Sequence, residues 1–204
     1  MFKLYYVPGA CSLCPHIILY ESGLSFEIEK INPRDKKTSS GEDYNTINPK
    51  SYVPALLLAD GQVLTEVTAI VQYLADQAPN KKLAPANGTM ERYRLQEWLN
   101  YIATEIHKGF GPLFNKNQPE DVKAAGKERL AMRIGFAAQS LDGKDYLLGN
   151  IFTVADAYLF TALRWAQYVG LDLSSWPALK DYMDRITARP SVQTAMQAEG
   201  LAGK

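Results

Sequence analysis

Strand-forming runs are confined to the first eighty residues of this chain, and a helical pattern follows them. The segments Phe2–Val7, Phe26–Ile31, Val53–Ala59 and Gln62–Thr65 are rich in aromatic, aliphatic and β-branched residues and lie beside turn-forming ones. Beyond residue 88 the apolar residues recur every three or four positions, as they do on one face of a helix. This change of period predicts an α/β domain followed by an all-helical domain.

Helical segments alternate with these strands in the order β-α-β-α-β-β-α. The helices are predicted over Ser12–Ser22, Gly41–Ile47 and Glu66–Ala78, and Gly23 stands where a helix C-cap belongs. Asp60-Gly61 separates the last two strands and predicts a two-residue hairpin turn, in which both central residues need φ > 0.

A polar segment that contains a proline and ends in a glycine divides the chain. It runs from Asn80 to Gly88 and has the composition of a linker. We therefore predict an α/β domain over 1–80, a linker over 81–88 and a helical domain over 89–204. Within the latter, Thr153-Val-Ala-Asp156 is similar to a capping box, with Asp156 reaching back to the N-cap amide. The helices of this domain are predicted over 89–114, 120–141, 153–169, 177–188 and 191–197.

Composition excludes several classes of function. The 22 basic and 22 acidic residues balance, and the sequence pI is about 6.7, so a nucleic-acid surface is not expected. No apolar run approaches the roughly 18–20 residues of a membrane span, and the N-terminus does not resemble a signal peptide. Two cysteines in 204 residues form no disulfide scaffold. We expect a cytoplasmic protein that binds neither membrane nor nucleic acid.

Cys11 and Cys14 form a Cys-x-x-Cys motif between a strand and a helix. Amides and the dipole at a helix N-terminus favour thiolate over thiol, so Cys11 is predicted to be reactive. The same motif beside a βαβ pattern is typical of thioredoxin-like redox sites. Cys14 is also explained as a small buried apolar residue. A zinc site with His16 is not expected, because the chain has only two histidines and two cysteines.

Three further positions are candidates for ligand binding. Glu66 begins a helix, where it either complements the helix dipole or binds an ammonium group beside helix-end amides that hold a carboxylate. Pro54 marks a strand start; if the Val53–Pro54 bond is cis, the Val53 backbone can pair with a peptide ligand. His107 lies on a polar face of the long helix, together with Asn100, where a solvated surface is the simpler explanation.

Together these residues resemble those of bacterial beta-class glutathione transferases. The resemblance extends over essentially the whole chain in order and spacing. It is carried by PGACSL at 8–13, VPALLL at 53–58, LTE at 64–66, WLNYIATEIHKGF at 98–110 and TVADAYLF at 153–160. It implies a thioredoxin-like domain joined to a helical bundle domain, in a homodimer that uses glutathione as co-substrate and needs no metal.

The resemblance also implies roles for individual residues. Cys11 and His107 would lie at the glutathione sulfur, and Tyr6 matches a tyrosine near it. Val53, before a cis Pro54, would pair with the cysteinyl unit, while Ala10 and the Val67 amide complete the glutathione site. The remaining assignments are Lys36 to the glycyl carboxylate, Glu66 to the γ-glutamyl ammonium, Asn100 to that same end from the partner subunit, and Tyr158 and Trp165 to the electrophile pocket.

Two departures from the family pattern leave alternatives open. Val67 stands where a Ser or Gly is common, which removes a hydroxyl contact. Cys14 adds a second thiol and so completes the Cys-x-x-Cys motif. The first interpretation is a transferase that conjugates glutathione to small hydrophobic electrophiles, as in detoxification or dehalogenation. The second is a glutathione-dependent thiol-disulfide oxidoreductase that uses Cys11 and Cys14. The third is a binding module that kept the fold without catalysis.

Overall fold

A computed structural model describes residues 1–201 of the chain, which form two compact units. The first contains Met1–Ala84 together with the segment from Ala188 onward, and the second is Pro85–Thr187. The sequence instead assigned 89–204 to one helical domain. The difference arises because the final helix buries Val192, Ala195 and Met196, and it packs against the first helix of the chain.

A four-stranded mixed sheet organises the first unit. Its strands are β1 (Phe2–Tyr6), β2 (Phe26–Lys30), β3 (Ala55–Leu57) and β4 (Val63–Thr65), in the spatial order β2-β1-β3-β4. β1 is parallel to β2 and antiparallel to β3, and β4 is antiparallel to β3. The helices are α1 (Leu13–Ser22), α2 (Tyr44–Ile47), α3 (Val67–Gln77) and the C-terminal α9 (Pro190–Ala198). The predicted β-α-β-α-β-β-α order of the thioredoxin-like domain is therefore confirmed.

The β3–β4 hairpin turns differently from the prediction. Gly61 has φ 87°, but Asp60 is not among the residues with positive φ. Gly61 N–H donates to the Leu58 carbonyl at 3.1 Å, and the Leu58 N–H donates to the Gln62 carbonyl at 2.8 Å. This is a three-residue loop with glycine in the left-handed position, which needs only one residue of positive φ.

Helix α1 is apolar around most of its circumference because it is covered on more than one side. It packs against α3 and α9, and all its residues from Leu13 to Leu19 are buried. As predicted, Gly23 ends it in the left-handed conformation, with φ 69°.

A buried carboxylate ties the end of α9 to α1 and to the loop after β1. Glu199 Oε1 accepts from His16 Nδ1 at 2.8 Å, and Oε2 accepts from Gly9 N–H at 2.9 Å. His16 is fully buried and Glu199 is 5% exposed. His16 Nε2 has no hydrogen-bond partner in the described part of the chain, so we assign the ring proton to Nδ1, where the carboxylate accepts it.

The second unit is helical throughout its regular structure. One predicted helix over 89–114 is observed as α4 (Met90–Tyr101), a π-helical segment (Ile102–His107) and α5 (Lys108–Phe114). The rest comprises α6 (Glu120–Ser140), α7 (Val154–Leu163), a 3₁₀ segment (Arg164–Val169) and α8 (Pro177–Thr187). Among residues 1–201, no helix is long and apolar enough to cross a membrane.

The predicted capping box at the start of α7 is present. Asp156 Oδ2 accepts from the Thr153 N–H at 2.8 Å and from its hydroxyl at 2.9 Å. Asp156 Oδ1 accepts from the Leu147 N–H at 2.9 Å and from the Tyr182 hydroxyl at 3.1 Å. These bonds compensate a fully buried carboxyl whose pKa is raised by desolvation. The motif therefore caps a buried helix, which is the structural role that the sequence predicted.

We expect Glu199→Gln to lower the free energy of unfolding by about 2 kcal/mol, because one of two buried charge-assisted hydrogen bonds is replaced by a mismatched amide. Urea denaturation monitored by far-ultraviolet circular dichroism measures this change. The matched control is Glu128→Gln, since Glu128 is exposed on α6. Equal stability of the two variants would contradict a structural role for the Glu199 carboxylate.

Candidate functional site

The loop between β1 and α1 presents Cys11 beside a backbone carbonyl. Ser12 closes this loop, because its hydroxyl donates to the Val7 carbonyl at 3.1 Å and accepts from the Val7 N–H at 3.2 Å. Cys11 Sγ–H donates to the Val53 carbonyl at 3.2 Å. Cys11 as a residue is half-buried, and its thiol is thereby held against the segment that precedes β3.

The environment of Cys11 favours thiol over thiolate, contrary to the expectation from sequence. Burial raises the pKa of Cys11 to about 12; the N–H groups of Cys11 and Ser12 lower it, and the nearby Glu66 charge raises it further. The backbone N–H groups therefore lower the pKa of Cys11, as the sequence predicted, but by less than desolvation raises it. In the free protein Cys11 is a hydrogen-bond donor rather than a ready nucleophile.

Cys14 is enclosed by the core of the first unit. It is a free cysteine with no exposed surface, and burial raises its pKa well above the ordinary value. The position fits the interpretation as a small buried apolar residue. No group of three or more His, Cys, Asp or Glu residues within 1–201 is arranged to hold a metal ion.

The segment before β3 carries a peptide group that is open to a ligand. The Val53–Pro54 bond is cis. Tyr44 Oη and Asn48 Nδ2 both donate to the Tyr52 carbonyl, at 2.7 and 2.6 Å, and so fix the orientation of the preceding peptide. The Val53 N–H has no hydrogen-bond partner within the described residues. An extended peptide can therefore pair with this N–H by strand addition.

Glu66 precedes α3 with an exposed carboxylate and strained backbone. Its φ is 71°, a region in which residues other than glycine are uncommon. The carboxylate accepts from Lys50 Nζ at 2.8 Å, and the same ammonium donates to the Thr65 hydroxyl at 3.0 Å. Glu66 does not cap α3 with its side chain, and the first-turn amides of a helix lack intrahelical acceptors. An ammonium partner and anion-binding amides therefore lie side by side.

Lys36 lies in the loop after β2 and points toward the same segment. Its Nζ donates to the Ser51 carbonyl at 3.2 Å. Lys36, Ser51 and Glu66 are three of the four non-glycine residues of positive φ in the described chain. Strained backbone of this kind costs on the order of 1 kcal/mol or more per residue and concentrates at functional sites.

His107 ends the π-helical segment of the second unit and contacts two aromatic side chains. His107 Nδ1 lies 2.7 Å from Tyr158 Oη, and the ring centroids of His107 and Trp165 are 4.8 Å apart. Tyr158 is 2% exposed and Trp165 is 8% exposed. Both residues were predicted to line an electrophile pocket; the structure encloses them around His107, so they present little surface to a ligand. Short π-helical segments are rare and often lie at functional sites.

The other predicted residues have more peripheral positions. Tyr6 is buried with its ring centroid 5.9 Å from that of His16, and burial, then Glu199, raises the pKa of its hydroxyl. Ala10 belongs to the loop that carries Cys11. Val67 is the buried first residue of α3, whereas Asn100 is exposed on α4. Their roles stay predictions.

Sequence reasoning missed Lys50, Tyr44 and Glu199. Lys50 pairs with the predicted ammonium-binding carboxylate, and Tyr44 orients the Tyr52–Val53 peptide. Neither residue lies in a motif that points to this chemistry. Glu199 lies 190 residues from the glycine that it binds, so local pattern could not connect them.

We expect Cys11 to resist alkylation at neutral pH, because a thiol whose pKa is about 12 forms very little thiolate there. Mass spectrometry of iodoacetamide labelling in a Cys14→Ser background measures this directly. The labelling rate should still be rising steeply at pH 10. A rate that reaches its plateau near pH 8 would show that the helix N-terminus outweighs burial.

Comparison with known proteins identifies the family. Residues 10–77 match the N-terminal domain and residues 101–190 the C-terminal domain of glutathione S-transferase. Glutathione S-transferase GstA of Escherichia coli O157:H7 is 47% identical over 199 residues, covering 98% of this chain and 99% of that protein. The structure of BphK, a bacterial glutathione S-transferase solved as a ternary complex, has TM-score 0.96 and 54% identity, covering 98% of this chain and 100% of that one.

Two further solved structures are similar. A sphingomonad glutathione S-transferase complexed with glutathione has TM-score 0.95 and 46% identity, and the bacterial beta-class enzyme of Sphingomonas chungbukensis has TM-score 0.94 and 44% identity. Each covers 98% of this chain and is itself covered completely. The chain therefore belongs to the glutathione S-transferase family.

Proposed function

We propose that the protein binds glutathione as its thiolate and conjugates it to small, hydrophobic electrophiles. One observation carries this proposal: the Val53 N–H has no hydrogen-bond partner among residues 1–201, and the Cys11 thiol donates to the carbonyl of the same residue. The uncharged cysteinyl unit of glutathione fits this site. Its carbonyl accepts from the Val53 N–H, and its sulfur takes the hydrogen bond that Cys11 gives to the Val53 carbonyl in the free protein.

The charged ends of glutathione match the groups on either side of Val53. Glu66 takes the γ-glutamyl ammonium, while the Val67 N–H and its neighbours in the first turn of α3 take the adjacent carboxylate. Lys36 takes the glycyl carboxylate. In the free protein Lys50 forms an exposed ion pair with Glu66, so the ligand ammonium displaces Lys50 or binds the carboxylate together with it. Such a pair is worth only about 0–1 kcal/mol, and its exchange costs little.

Catalysis consists of stabilising the thiolate of the ligand. Lowering a thiol pKa by about two units corresponds to roughly 3 kcal/mol of preferential thiolate binding. Cys11 Sγ–H and the imidazole of His107 are the donors assigned to this task, and Tyr6 is the further candidate. The glutathione sulfur then forms the bond to an electrophilic carbon, whose leaving group departs with the electron pair; the thiol proton passes to water.

The remaining parts of the proposal concern context. We place the enzyme in the cytoplasm, in detoxification or dehalogenation, as a homodimer in which Asn100 reaches the γ-glutamyl end of the partner's ligand. An exposed apolar patch supports association: Phe136 is 52% and Met132 68% exposed, and the Phe136 ring contacts Tyr101 and Trp98. Patches of this kind are typical of interaction surfaces.

The test of the function is the initial rate of thioether formation from glutathione and a reactive aryl halide, corrected for the uncatalysed reaction. We expect a saturable rate that Cys14→Ser leaves within about twofold, because Cys14 is buried away from the ligand. Two results together would instead support the oxidoreductase. The wild type would conjugate none of a panel of aryl and alkyl halides, and Cys14→Ser would lose a glutathione-dependent disulfide reductase activity that the wild type has.

We expect Glu66→Gln to weaken glutathione binding about tenfold, because a charged acceptor for the ligand ammonium becomes a neutral one. Isothermal titration calorimetry measures the dissociation constant. Glu27→Gln is the matched control, since Glu27 is exposed on β2 at the opposite edge of the sheet. Similar affinities for the two variants would remove Glu66 from the binding site.

A further inference from the structure

The imidazole of His107 is oriented by neighbours that are themselves buried. Tyr158 lies in the middle of α7, and its ring is perpendicular to that of His107 at a centroid distance of 5.8 Å. Trp165 approaches the imidazole at 68° and also contacts Phe110. Because these aromatic rings are enclosed by the helical unit, the position of the imidazole is set by packing.

The short contact between His107 Nδ1 and Tyr158 Oη has a preferred direction. A phenol is a far stronger acid than a neutral imidazole N–H, and an imidazole nitrogen accepts a hydrogen bond better than a phenolic oxygen. The hydroxyl therefore donates and Nδ1 accepts. In the neutral ring the proton then lies on Nε2.

We propose that Tyr158 is a positioning residue that holds His107 in the Nε2–H tautomer. This inference goes beyond the electrophile-pocket role predicted from the sequence. Its catalytic consequence rests on the proposed function: Nε2–H is the group that donates to the glutathione sulfur. The imidazole keeps its proton throughout, so no acid or base is consumed when the carbon–sulfur bond forms.

The arrangement also bears on the presence of a tyrosine in a buried helix. Helix α7, which contains Tyr158, is buried along its whole length, and Tyr158 is 2% exposed. A buried hydroxyl without a partner costs about 1–3 kcal/mol. The bond to Nδ1 offsets that cost and fixes a catalytic group at the same time.

The tautomer is measured by long-range ¹H–¹⁵N correlation spectra of protein labelled with ¹⁵N-histidine at pH 8. The chain has two histidines, so the spectrum contains two ring systems, and a His107→Gln variant assigns them. His16 is an internal reference of opposite sense, because its Nδ1 faces the Glu199 carboxylate. We expect Nε2–H for His107 and Nδ1–H for His16. A proton on Nδ1 of His107 overturns the proposal.

Tyr158→Phe tests the hydroxyl while conserving the ring. We expect the His107 signals to shift toward a mixture of tautomers, those of His16 to stay unchanged, and kcat for aryl-halide conjugation to fall about tenfold with KM for glutathione within twofold. Tyr168→Phe is the matched control, since Tyr168 is 59% exposed in the 3₁₀ segment of the same unit.

Unchanged His107 signals and unchanged kcat in Tyr158→Phe also overturn the proposal. If the wild type conjugates no electrophile, the proposed function fails, and the spectra of the ligand-free protein still decide whether Tyr158 selects the tautomer. If Tyr158→Phe does not fold, the wild-type spectrum alone gives that decision.

Discussion

One buried carboxylate connects the two ends of the chain and fixes the loop on which the site is built. Glu199 accepts hydrogen bonds from His16 in α1 and from the Gly9 N–H, two residues before Cys11. Burial of a charge without such partners costs several kcal/mol, so the carboxylate requires both donors in place. The C-terminal helix is for this reason part of the unit that carries Cys11, although it follows the helical region in sequence.

The position of Cys11 separates two kinds of thiol chemistry. A redox nucleophile needs an exposed thiolate, whereas Cys11 is a protonated donor to a carbonyl and Cys14 is sealed in the core. Because burial removes the solvation that a thiolate needs, Cys11 stays protonated and can donate a hydrogen bond to the sulfur of a ligand. The same sequence motif that predicts a redox pair therefore fits, in this packing, a site that stabilises the thiolate of another molecule.

Local chemistry explains which features were predictable from the sequence. The strands, the Gly23 cap and the Thr153–Asp156 capping box depend on residues a few positions apart, and they form where the pattern indicates. The Asp60-Gly61 hairpin was assigned the wrong loop length because the dipeptide suits both turns. The C-terminal helix, Glu199 and Lys50 depend on contacts between distant segments, which no short pattern encodes.

The same limit applies to the site. Cys11, Val53, Glu66 and Lys36 were predicted, but the pKa of Cys11 was expected to be low, since a helix N-terminus is readable in sequence and desolvation is not. Tyr158 was predicted to line a ligand pocket, and that assignment stays a prediction. Its contact to His107 joins residues 51 positions apart, so the aromatic spacing gave no sign of it.

Binding of glutathione as a thiolate can be measured by titrating the ultraviolet absorbance of the bound thiolate. The protein's own thiols do not contribute to the absorbance change near neutral pH. The pKa of Cys11 is raised to about 12, and that of Cys14 is also well above its ordinary value. We expect the midpoint for bound glutathione to lie about two units below the ordinary thiol pKa of roughly 8.5. A midpoint equal to that of free glutathione would contradict it.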